Sequence, residues 1–275
     1  MSKQGIIASL KHGRTLTQLL FLALTIWVAY QMLSGVRGAT IEKYCPFGGV
    51  ETLFPWLSKT GTLCSLSTMN ISVLVGVLII TLLYKRVFCS HICPVGALSE
   101  WVGGLGRRFA VKSKRIPSNI DRKLMWLKYV TLGLILWGTI AYSELIFREV
   151  CPYYVAFTLG SGHGISDGVL GIGHYSLALI LGVFGISAVA PLAFCRYLCP
   201  FAACLNPLSR IGLIRVHRAS DTCIDCKQCD EACEWGVKVS DKTRVNSAEC
   251  TNCQNCVRRC PVPGTLELRI GVSRS

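Results

Sequence analysis

The sequence has 275 residues, of which 51% are hydrophobic and only 16% are charged. With a mean hydropathy of +0.46, this composition excludes an ordinary soluble protein and favours one with membrane-spanning segments. The formal net charge is +14, but the basic residues lie between apolar stretches and no nucleic-acid-binding motif accompanies them. We therefore interpret the charge as basic loops beside a membrane, and expect no nucleic-acid partner.

The apolar residues are concentrated in four stretches. Each predicts a membrane-spanning helix, because about 20 apolar residues cross the hydrocarbon core of a bilayer. We interpret the first stretch as an uncleaved span, because it is long and no small-residue cleavage site follows it. The predicted spans are Leu16–Leu33, Met69–Val87, Leu124–Tyr142 and Tyr175–Phe194.

The distribution of lysine and arginine predicts the orientation of these spans. Basic residues are dense in the segment 85–123 and sparse in the segments 34–68 and 144–174, and basic loops stay on the cytoplasmic side. We therefore expect a multi-pass protein of the bacterial or archaeal cell (inner) membrane, with both termini in the cytoplasm. A reducing cytoplasm also suits the cysteine motifs of the C-terminal tail.

An internal repeat divides the apolar region. A shift of 106 residues brings pairs that contain Cys and Pro into register, which chance similarity of apolar stretches does not explain. The two units, about 1–106 and 107–212, each hold two spans and so form a parallel repeat. The matching pairs are Cys45-Pro46 with Cys151-Pro152, Phe88-Cys89 with Phe194-Cys195, and Cys93-Pro94 with Cys199-Pro200.

The predicted fold is mainly α, in two domains. The first is a four-helix transmembrane bundle over 1–212, built from the two parallel repeats. The second is a small cytoplasmic α+β domain over 213–275, which contains the spacing C-x₂-C-x₂-C-x₃-C twice. This spacing, repeated, is the signature of a bacterial-type ferredoxin with two [4Fe–4S] clusters.

In this signature the fourth cysteine of each run ligates the cluster of the other run. Zinc is the alternative, but zinc sites rarely need three cysteines at this spacing followed by a fourth. The first predicted cluster is held by Cys223, Cys226, Cys229 and Cys260, and the second by Cys250, Cys253, Cys256 and Cys233.

Two further motifs of the form C-x₃-C-P lie where predicted spans meet the cytoplasm. On a helical turn, the sulfurs of residues i and i+4 lie on one face, and the repeat would bring the two motifs together near its axis. Their four thiols either ligate a metal or cluster, form disulfides, or only pack in the interior. The cysteines are Cys89, Cys93, Cys195 and Cys199.

On the opposite side of the membrane, Cys45 and Cys151 are also related by the repeat. They either form a disulfide or jointly ligate a cofactor, and the sequence leaves both alternatives open. Polar residues at the outer ends of the spans are candidates for a quinone site. These candidates are Glu144, Glu149, His163, Asp167 and His174.

Four spans, two C-x₃-C-P motifs and a C-terminal two-cluster domain together resemble the NapH family, the membrane iron–sulfur subunits of periplasmic nitrate reductase systems. MauN and the membrane core of the regulator NosR are similar. The resemblance covers nearly the whole chain. It implies quinol oxidation, or electron transfer between the quinone pool and a partner, with the cysteines of the tail as cluster ligands.

The leading hypothesis is therefore a membrane electron-transfer subunit, the quinol dehydrogenase component of an oxidoreductase system. Its partner is expected to be a redox protein such as a periplasmic ferredoxin or a cytochrome. The alternative is a regulatory or assembly protein for a metalloenzyme, which senses redox state or reduces a bound metal. No nucleophile–base pair, phosphate-binding loop or dinucleotide fingerprint indicates a catalytic site of another kind.

Overall fold

A computed structural model describes residues 3–34, 45–57, 68–108, 117–142, 147, 151 and 176–270. This part of the chain is mainly helical, with one small sheet. The helices are α1 (Lys3–Leu33), α2 (Pro46–Leu57), α3 (Thr68–Tyr84), α4 (Val87–His91), α5 (Pro94–Arg108), α6 (Ser118–Tyr142), α7 (Ser176–Val189), α8 (Pro200–Ile211), α9 (Gln228–Glu231) and α10 (Asn255–Arg259). A single turn of π-helix, Phe194–Leu198, precedes α8. The two strands are β1 (Ile214–Arg218) and β2 (Leu266–Ile270).

Each of the four predicted spans overlaps a long apolar helix, namely α1, α3, α6 or α7. Within the described residues, only Asn119–Tyr142, a helix of 24 residues, is both long and apolar enough to cross a membrane. The apolar parts of α1 and α3, Gly13–Val28 and Met69–Tyr84, are shorter. The helices are thus confirmed, while the four-helix transmembrane bundle stays a prediction.

The chain divides into two compact units, whose boundaries fall inside helices. Unit 1 combines the C-terminal tail with three helical segments from the rest of the chain. It consists of Met1–Leu20, Leu78–Ala97 and Cys204–Ser275, whereas unit 2 consists of Phe21–Val77 and Leu98–Ala203.

The tail in unit 1 is a ferredoxin-type domain closed by an antiparallel pair of strands. β1 opens the domain and β2 ends it, with Ile214 opposite Ile270. Short helices α9 and α10 follow the two cysteine loops between the strands. The core beneath them is formed by buried apolar side chains, which are Val216, Trp235, Val239, Val245 and Leu266.

Unit 2 is held together by close helix packing and a few buried polar contacts. A Cβ at Gly106 would lie 2.4 Å from the carbonyl oxygen of Ala188, so only glycine allows α5 to approach the end of α7 this closely. At the start of α6, Asp121 pairs with Arg196 of the π turn at 2.6 Å and accepts a hydrogen bond from the Tyr197 hydroxyl, also at 2.6 Å.

Candidate iron–sulfur and cysteine sites

The eight cysteines of the tail line two separate cavities, with four thiols around each. The first cavity, site one, takes three cysteines from the first run and one from the second. The second cavity, site two, takes three from the second run and one from the first. Site one is lined by Cys223, Cys226, Cys229 and Cys260, and site two by Cys233, Cys250, Cys253 and Cys256.

The two cysteine loops adopt the same backbone conformation. Asp225 and Lys227 have φ of 50° and 55°, and Asn252 and Gln254, at the equivalent positions, have 51° and 61°. These left-handed residues lie within each run and bend the chain around its cavity. A left-handed conformation costs roughly 1–2 kcal/mol for residues other than Gly, Asn and Asp, so its presence at the equivalent positions Lys227 and Gln254 indicates a functional constraint.

Burial favours the neutral form of three thiols around the cavities, those of Cys229, Cys233 and Cys256. It raises the pKa of Cys233 to about 12, with a further contribution from Cys253. Burial also raises the pKa of Cys229 and of Cys256. A cationic group is therefore needed in each cavity before these sulfurs ionise, because metals bind thiolates and release the thiol protons.

The donor set fits an iron–sulfur cubane better than a single ion. Among the described residues, no group of three or more His, Cys, Asp or Glu side chains lies close enough together to hold one metal ion. A [4Fe–4S] cluster instead takes one thiolate at each iron, so its four sulfurs are spread around a larger group. The amide of Val237 donates a hydrogen bond to the Cys233 sulfur at 3.3 Å, an orienting contact of the kind that tunes such clusters.

The first C-x₃-C-P motif lies in unit 1, with Cys89 buried and Cys93 half-buried. Its α4 helix ends at His91, and the amide of Cys93 bonds to the carbonyl of Phe88, five residues earlier, at 2.9 Å. A Cβ at Gly96 would lie 2.2 Å from the Cys89 carbonyl oxygen. Glycine therefore allows α5 to begin directly against the cysteine turn.

The second motif, in unit 2, has the same turn. The amide of Cys199 bonds to the carbonyl of Phe194, again five residues earlier and again at 2.9 Å. Cys195 is buried and Cys199 is half-buried. In the second motif a π-helical turn thus replaces the expected α-helical turn. In the first motif Cys89 lies in the α-helix α4, and only the closing bond from Cys93 spans five residues. The prolines explain the difference, because Pro200 favours the extended backbone seen at Cys199, with ψ of 114°.

Polar contacts surround the first motif. The backbone carbonyl of Ser90 accepts hydrogen bonds from Gln18 at 2.9 Å and from Arg14 at 3.4 Å. The Ser90 hydroxyl contacts Nδ1 of His91 at 2.8 Å. Burial and the nearby Arg14 lower the pKa of His91 to about 4, so this imidazole is neutral at physiological pH.

The cysteines predicted on the outer side lie in unit 2. Cys151 is buried and Cys45 is half-buried. Their segments meet through aromatic rings, since the centroids of Phe47 and Phe147 are 4.4 Å apart and the Cys151 amide bonds to the Phe147 carbonyl. Both alternatives for this pair, the disulfide and joint ligation, stay predictions.

Sequence reasoning missed a buried carboxylate in this region. Glu51 is only 1% exposed, and its Oε1 accepts hydrogen bonds from the Thr139 hydroxyl at 3.0 Å and the Phe147 amide at 2.9 Å. The available signal was an acidic residue in an otherwise apolar helix, α2. The predicted quinone-site residues, Glu144, Glu149, His163, Asp167 and His174, lie outside the described residues.

A helical protein that carries two four-thiol cavities in a ferredoxin-type domain belongs to the class of iron–sulfur proteins. A family model described as "4Fe-4S binding domain" matches residues 66–112 and 172–218. The two matched segments are offset by the same 106 residues as the internal repeat, and each contains one C-x₃-C-P motif. The family model thus matches the segments that contain the C-x₃-C-P motifs. Its description also agrees with the four-thiol cavities of the tail.

Curated relatives extend the similarity beyond these segments. The chain is 31% identical over 268 residues to the putative electron transport protein YccM of Escherichia coli, covering 92% of this chain and 74% of that protein. It is 31% identical to the ferredoxin-type protein NapH of Escherichia coli, covering 68% of this chain and 64% of that protein. It is 30% identical to the regulatory protein NosR of Pseudomonas aeruginosa, covering 62% of this chain but 23% of that protein.

No solved structure matches the chain significantly. The chain belongs to the family of iron–sulfur electron-transport proteins that includes YccM, NapH and NosR. The resemblance predicted from the cysteine motifs is thereby confirmed.

Proposed function

We propose that this protein is a membrane iron–sulfur subunit that passes electrons between the quinone pool and a partner redox protein. The observation that carries the proposal is the pair of four-thiol cavities in a chain of an electron-transport family. When bound, [4Fe–4S] clusters supply one-electron chemistry, which suits a relay between quinol, a two-electron donor, and a one-electron partner.

The protein's own groups provide the environment for this chemistry. In site one, the proposed ligands include Cys226 on an exposed loop and Cys229 in the interior. In site two, the proposed ligands include the buried Cys256 and Cys233, whose sulfur is oriented by the Val237 amide. Burial limits the access of water to the Cys229 and Cys256 sulfurs, and the left-handed residues shape the loops around each cavity.

The cysteines of the C-x₃-C-P motifs form a second set of proposed ligands. Two observations support this role. Both motifs lie in segments matched by the 4Fe-4S binding family model, and both contain a π-type turn at the same position. Such turns frequently occur at functional sites. That the two motifs share one metal or cluster stays a prediction from the repeat.

A regulatory role is the second candidate function. It is favoured by the similarity to NosR, whose name describes a regulatory protein. The two candidates differ in turnover, because a relay must be reduced and reoxidised repeatedly, whereas a sensor needs only to change state.

The proposal is tested with the full chain purified anaerobically in detergent or nanodiscs. We expect about eight irons per chain from the tail alone and rapid reduction of the clusters by duroquinol. Cys226→Ala should remove the iron of one cluster, whereas the control Cys204→Ala, at a half-buried cysteine outside both sites, should retain all of it. Stoichiometric zinc without iron after reconstitution would contradict the clusters, and no reduction by duroquinol would contradict the quinol link.

A further inference from the structure

The two cluster sites differ in how their loops are covered. In the loop of site one, Ile224 is 64% exposed, and Cys226 and Lys227 are exposed beside it. In the loop of site two, Thr251 and Asn252, at the corresponding stage of the run, are only 1% and 4% exposed. The same backbone conformation therefore presents one site to solvent and the other to the interior of unit 1.

The cover over site two comes from the helical segments of unit 1. The side-chain amide of Asn252 donates hydrogen bonds to the carbonyl of Tyr84, the last residue of α3, at 3.0 Å and to the carbonyl of Ile214 at 2.8 Å. The ammonium of Lys85 donates to the carbonyl of Ser247 at 2.8 Å. These contacts fix the loop of site two against the end of α3.

Charged groups strengthen the same contact. The buried guanidinium of Arg86 pairs with Glu249, which directly precedes Cys250, and lies over the ring of Trp235, 5.1 Å from its centroid. The guanidinium of Arg14 in α1 donates a hydrogen bond to Asn255, which directly precedes Cys256, at 3.0 Å.

One hydrogen bond joins the first C-x₃-C-P motif to the loop of site two. The hydroxyl of Ser90, next to Cys89, donates to the carbonyl of Thr251, next to Cys250, at 3.2 Å. The route between these two cysteines therefore needs only short covalent segments and one hydrogen bond, with Ser90 and Thr251 both buried. The exposed loop of site one is placed instead to meet a soluble partner.

We propose that the two sites work in a fixed order, in which site two exchanges electrons with the metal or cluster proposed at the first C-x₃-C-P motif, and site one exchanges them with a soluble one-electron redox protein. This order rests on the proposed electron-transfer function. Quinol loses two electrons and two protons to become quinone; the protons are released to water, and the two clusters each take one electron. The soluble partner then removes the electrons one at a time through site one, so that each donor is oxidised by one electron as its acceptor is reduced. Flow from the partner to quinone uses the same order in reverse.

The order is tested without quinol by measuring how accessible each cluster is to a water-soluble probe. The full chain is reduced with dithionite, and the electron-spin relaxation of each cluster is measured with chromium(III) oxalate, a water-soluble paramagnet. Site one is observed alone in Cys253→Ala, and site two alone in Cys226→Ala. We expect strong relaxation enhancement for site one and weak enhancement for site two. Equal enhancement, or stronger enhancement at site two, would overturn the order.

A second measurement uses the native ligands throughout, so that it does not depend on the cysteine variants. Duroquinol reduction is followed by stopped flow in the intact protein, in Ser90→Ala, and in the control Ser220→Ala, whose exposed hydroxyl donates a hydrogen bond to the neighbouring Asp221 at 3.2 Å. We expect Ser90→Ala to slow reduction severalfold, with iron content and the rate of reduction by dithionite unchanged, and Ser220→Ala to behave as the native protein. An unchanged rate in Ser90→Ala would overturn the route through this motif.

A failure of the proposed quinol link can be distinguished from a failure of the proposed order of the two sites. If duroquinol reduces neither cluster of the native protein, the proposed quinol link fails, and the access measurement still decides which site faces water. If duroquinol reduces both clusters of the native protein, and reduces site one in Cys253→Ala as rapidly as it reduces site one in the native protein, the electron-transfer function stands and the order is wrong.

Discussion

Arg86 and Glu249 form an ion pair at 2.7 Å, although 163 positions separate them in the sequence. The side chain of Arg86 is fully buried and that of Glu249 is 12% exposed. Because Glu249 adjoins Cys250, this pair connects the segment after α3 with the ligand loop of site two. Removing one partner leaves the other charge buried, which is far more costly than never having built the pair.

We therefore expect Glu249→Gln to destabilise unit 1 by about 3–5 kcal/mol, the usual cost of breaking a buried ion pair. Denaturant titration with iron release as the readout measures the change. The control is Glu267→Gln, which removes an exposed pair with Arg269 and should change stability by under about 1 kcal/mol. Similar effects of the two substitutions would contradict a special role for the Arg86 pair.

Lys85 should influence the reduction potential of site two. Its ammonium binds the carbonyl of Ser247, which also accepts a hydrogen bond from the amide of Cys250. A positive charge nearby stabilises the more negative, reduced cluster, so Lys85→Met should lower the potential of site two and leave that of site one unchanged. A redox titration followed by electron paramagnetic resonance measures the shift, and a tenfold change in the equilibrium corresponds to about 59 mV for one electron. Lys238→Met, at an exposed position, is the control. An equal shift in this variant would contradict a specific effect of the Lys85 charge on site two.

Cluster incorporation should depend on pH because of the buried thiols. The pKa of Cys233 is raised to about 12, so this thiol is protonated at neutral pH and must lose its proton when iron binds. We expect reconstitution of the apoprotein to be faster at about pH 8.5 than at about pH 6.5, since metal binding to thiols releases protons. The rate is measured from iron–sulfur absorbance.

Rising pH has the opposite effect on the stability of the metal-free protein, which it lowers. A raised pKa favours the neutral thiol in the folded state, so its stabilising effect is present below the ordinary pKa of 9.0 and is lost as the pH rises towards about 12. The apoprotein should therefore lose stability over this alkaline range, and the loaded protein should resist the change. A stability of the apoprotein that rises through the same range would contradict the assignment of Cys233 to the interior.

Glu51 offers a test of unit 2. Both hydrogen bonds to its carboxylate reach the same oxygen, which a glutamine carbonyl can replace. Glu51→Gln should therefore preserve the fold. Glu51→Leu leaves the Phe147 amide without this acceptor, at a cost of about 1–3 kcal/mol, whereas the Thr139 hydroxyl can still donate to the Ile135 carbonyl at 2.9 Å. Thermal unfolding of the purified protein compares the two variants. Equal stability of both would show that these bonds contribute nothing.

The topology prediction needs a different measurement. The basic segment 85–123 predicts cytoplasmic termini and external positions for Cys45 and Cys151. A fusion of alkaline phosphatase to Ser275 should be inactive, since that enzyme folds only after export, and a cytoplasmic fluorescent reporter at the same position should be bright. An active phosphatase fusion would reverse the proposed orientation.

The division of the eight tail cysteines between two cavities could be predicted from sequence, because the repeated C-x₂-C-x₂-C-x₃-C spacing is typical of two-cluster ferredoxins. That these cysteines ligate clusters stays a prediction. The helices could also be predicted, since apolar stretches of that length rarely form any other secondary structure. Their ends were less accurate: α1 begins at Lys3 and not at Leu16, and α7 ends at Val189 and not at Phe194. In the second case Leu192, with φ of 60°, and Pro191 interrupt the helix before the π turn.

Long-range polar contacts could not be predicted in the same way. Ser90 and Thr251 are 161 positions apart, and nothing in either local sequence indicates the other. Arg14 and Arg86 similarly read as basic residues of a cytoplasmic loop, and only the folded chain shows Arg86 buried against Glu249. The left-handed conformation at Lys227 and Gln254 could not be predicted either, because neither residue type favours it.

The contact between Gly96 and Cys89 bears on how the two halves of the chain have diverged. The position related to Gly96 by the repeat is Ala202, a residue that already carries the Cβ for which Gly96 has no room. The halves descend from one pattern but are no longer interchangeable. A chimaera with the second half's turn in place of the first would need α5 to move away from α4, and so would disturb the segment that carries Ser90. At this position a single methyl group therefore distinguishes the two halves of the repeat.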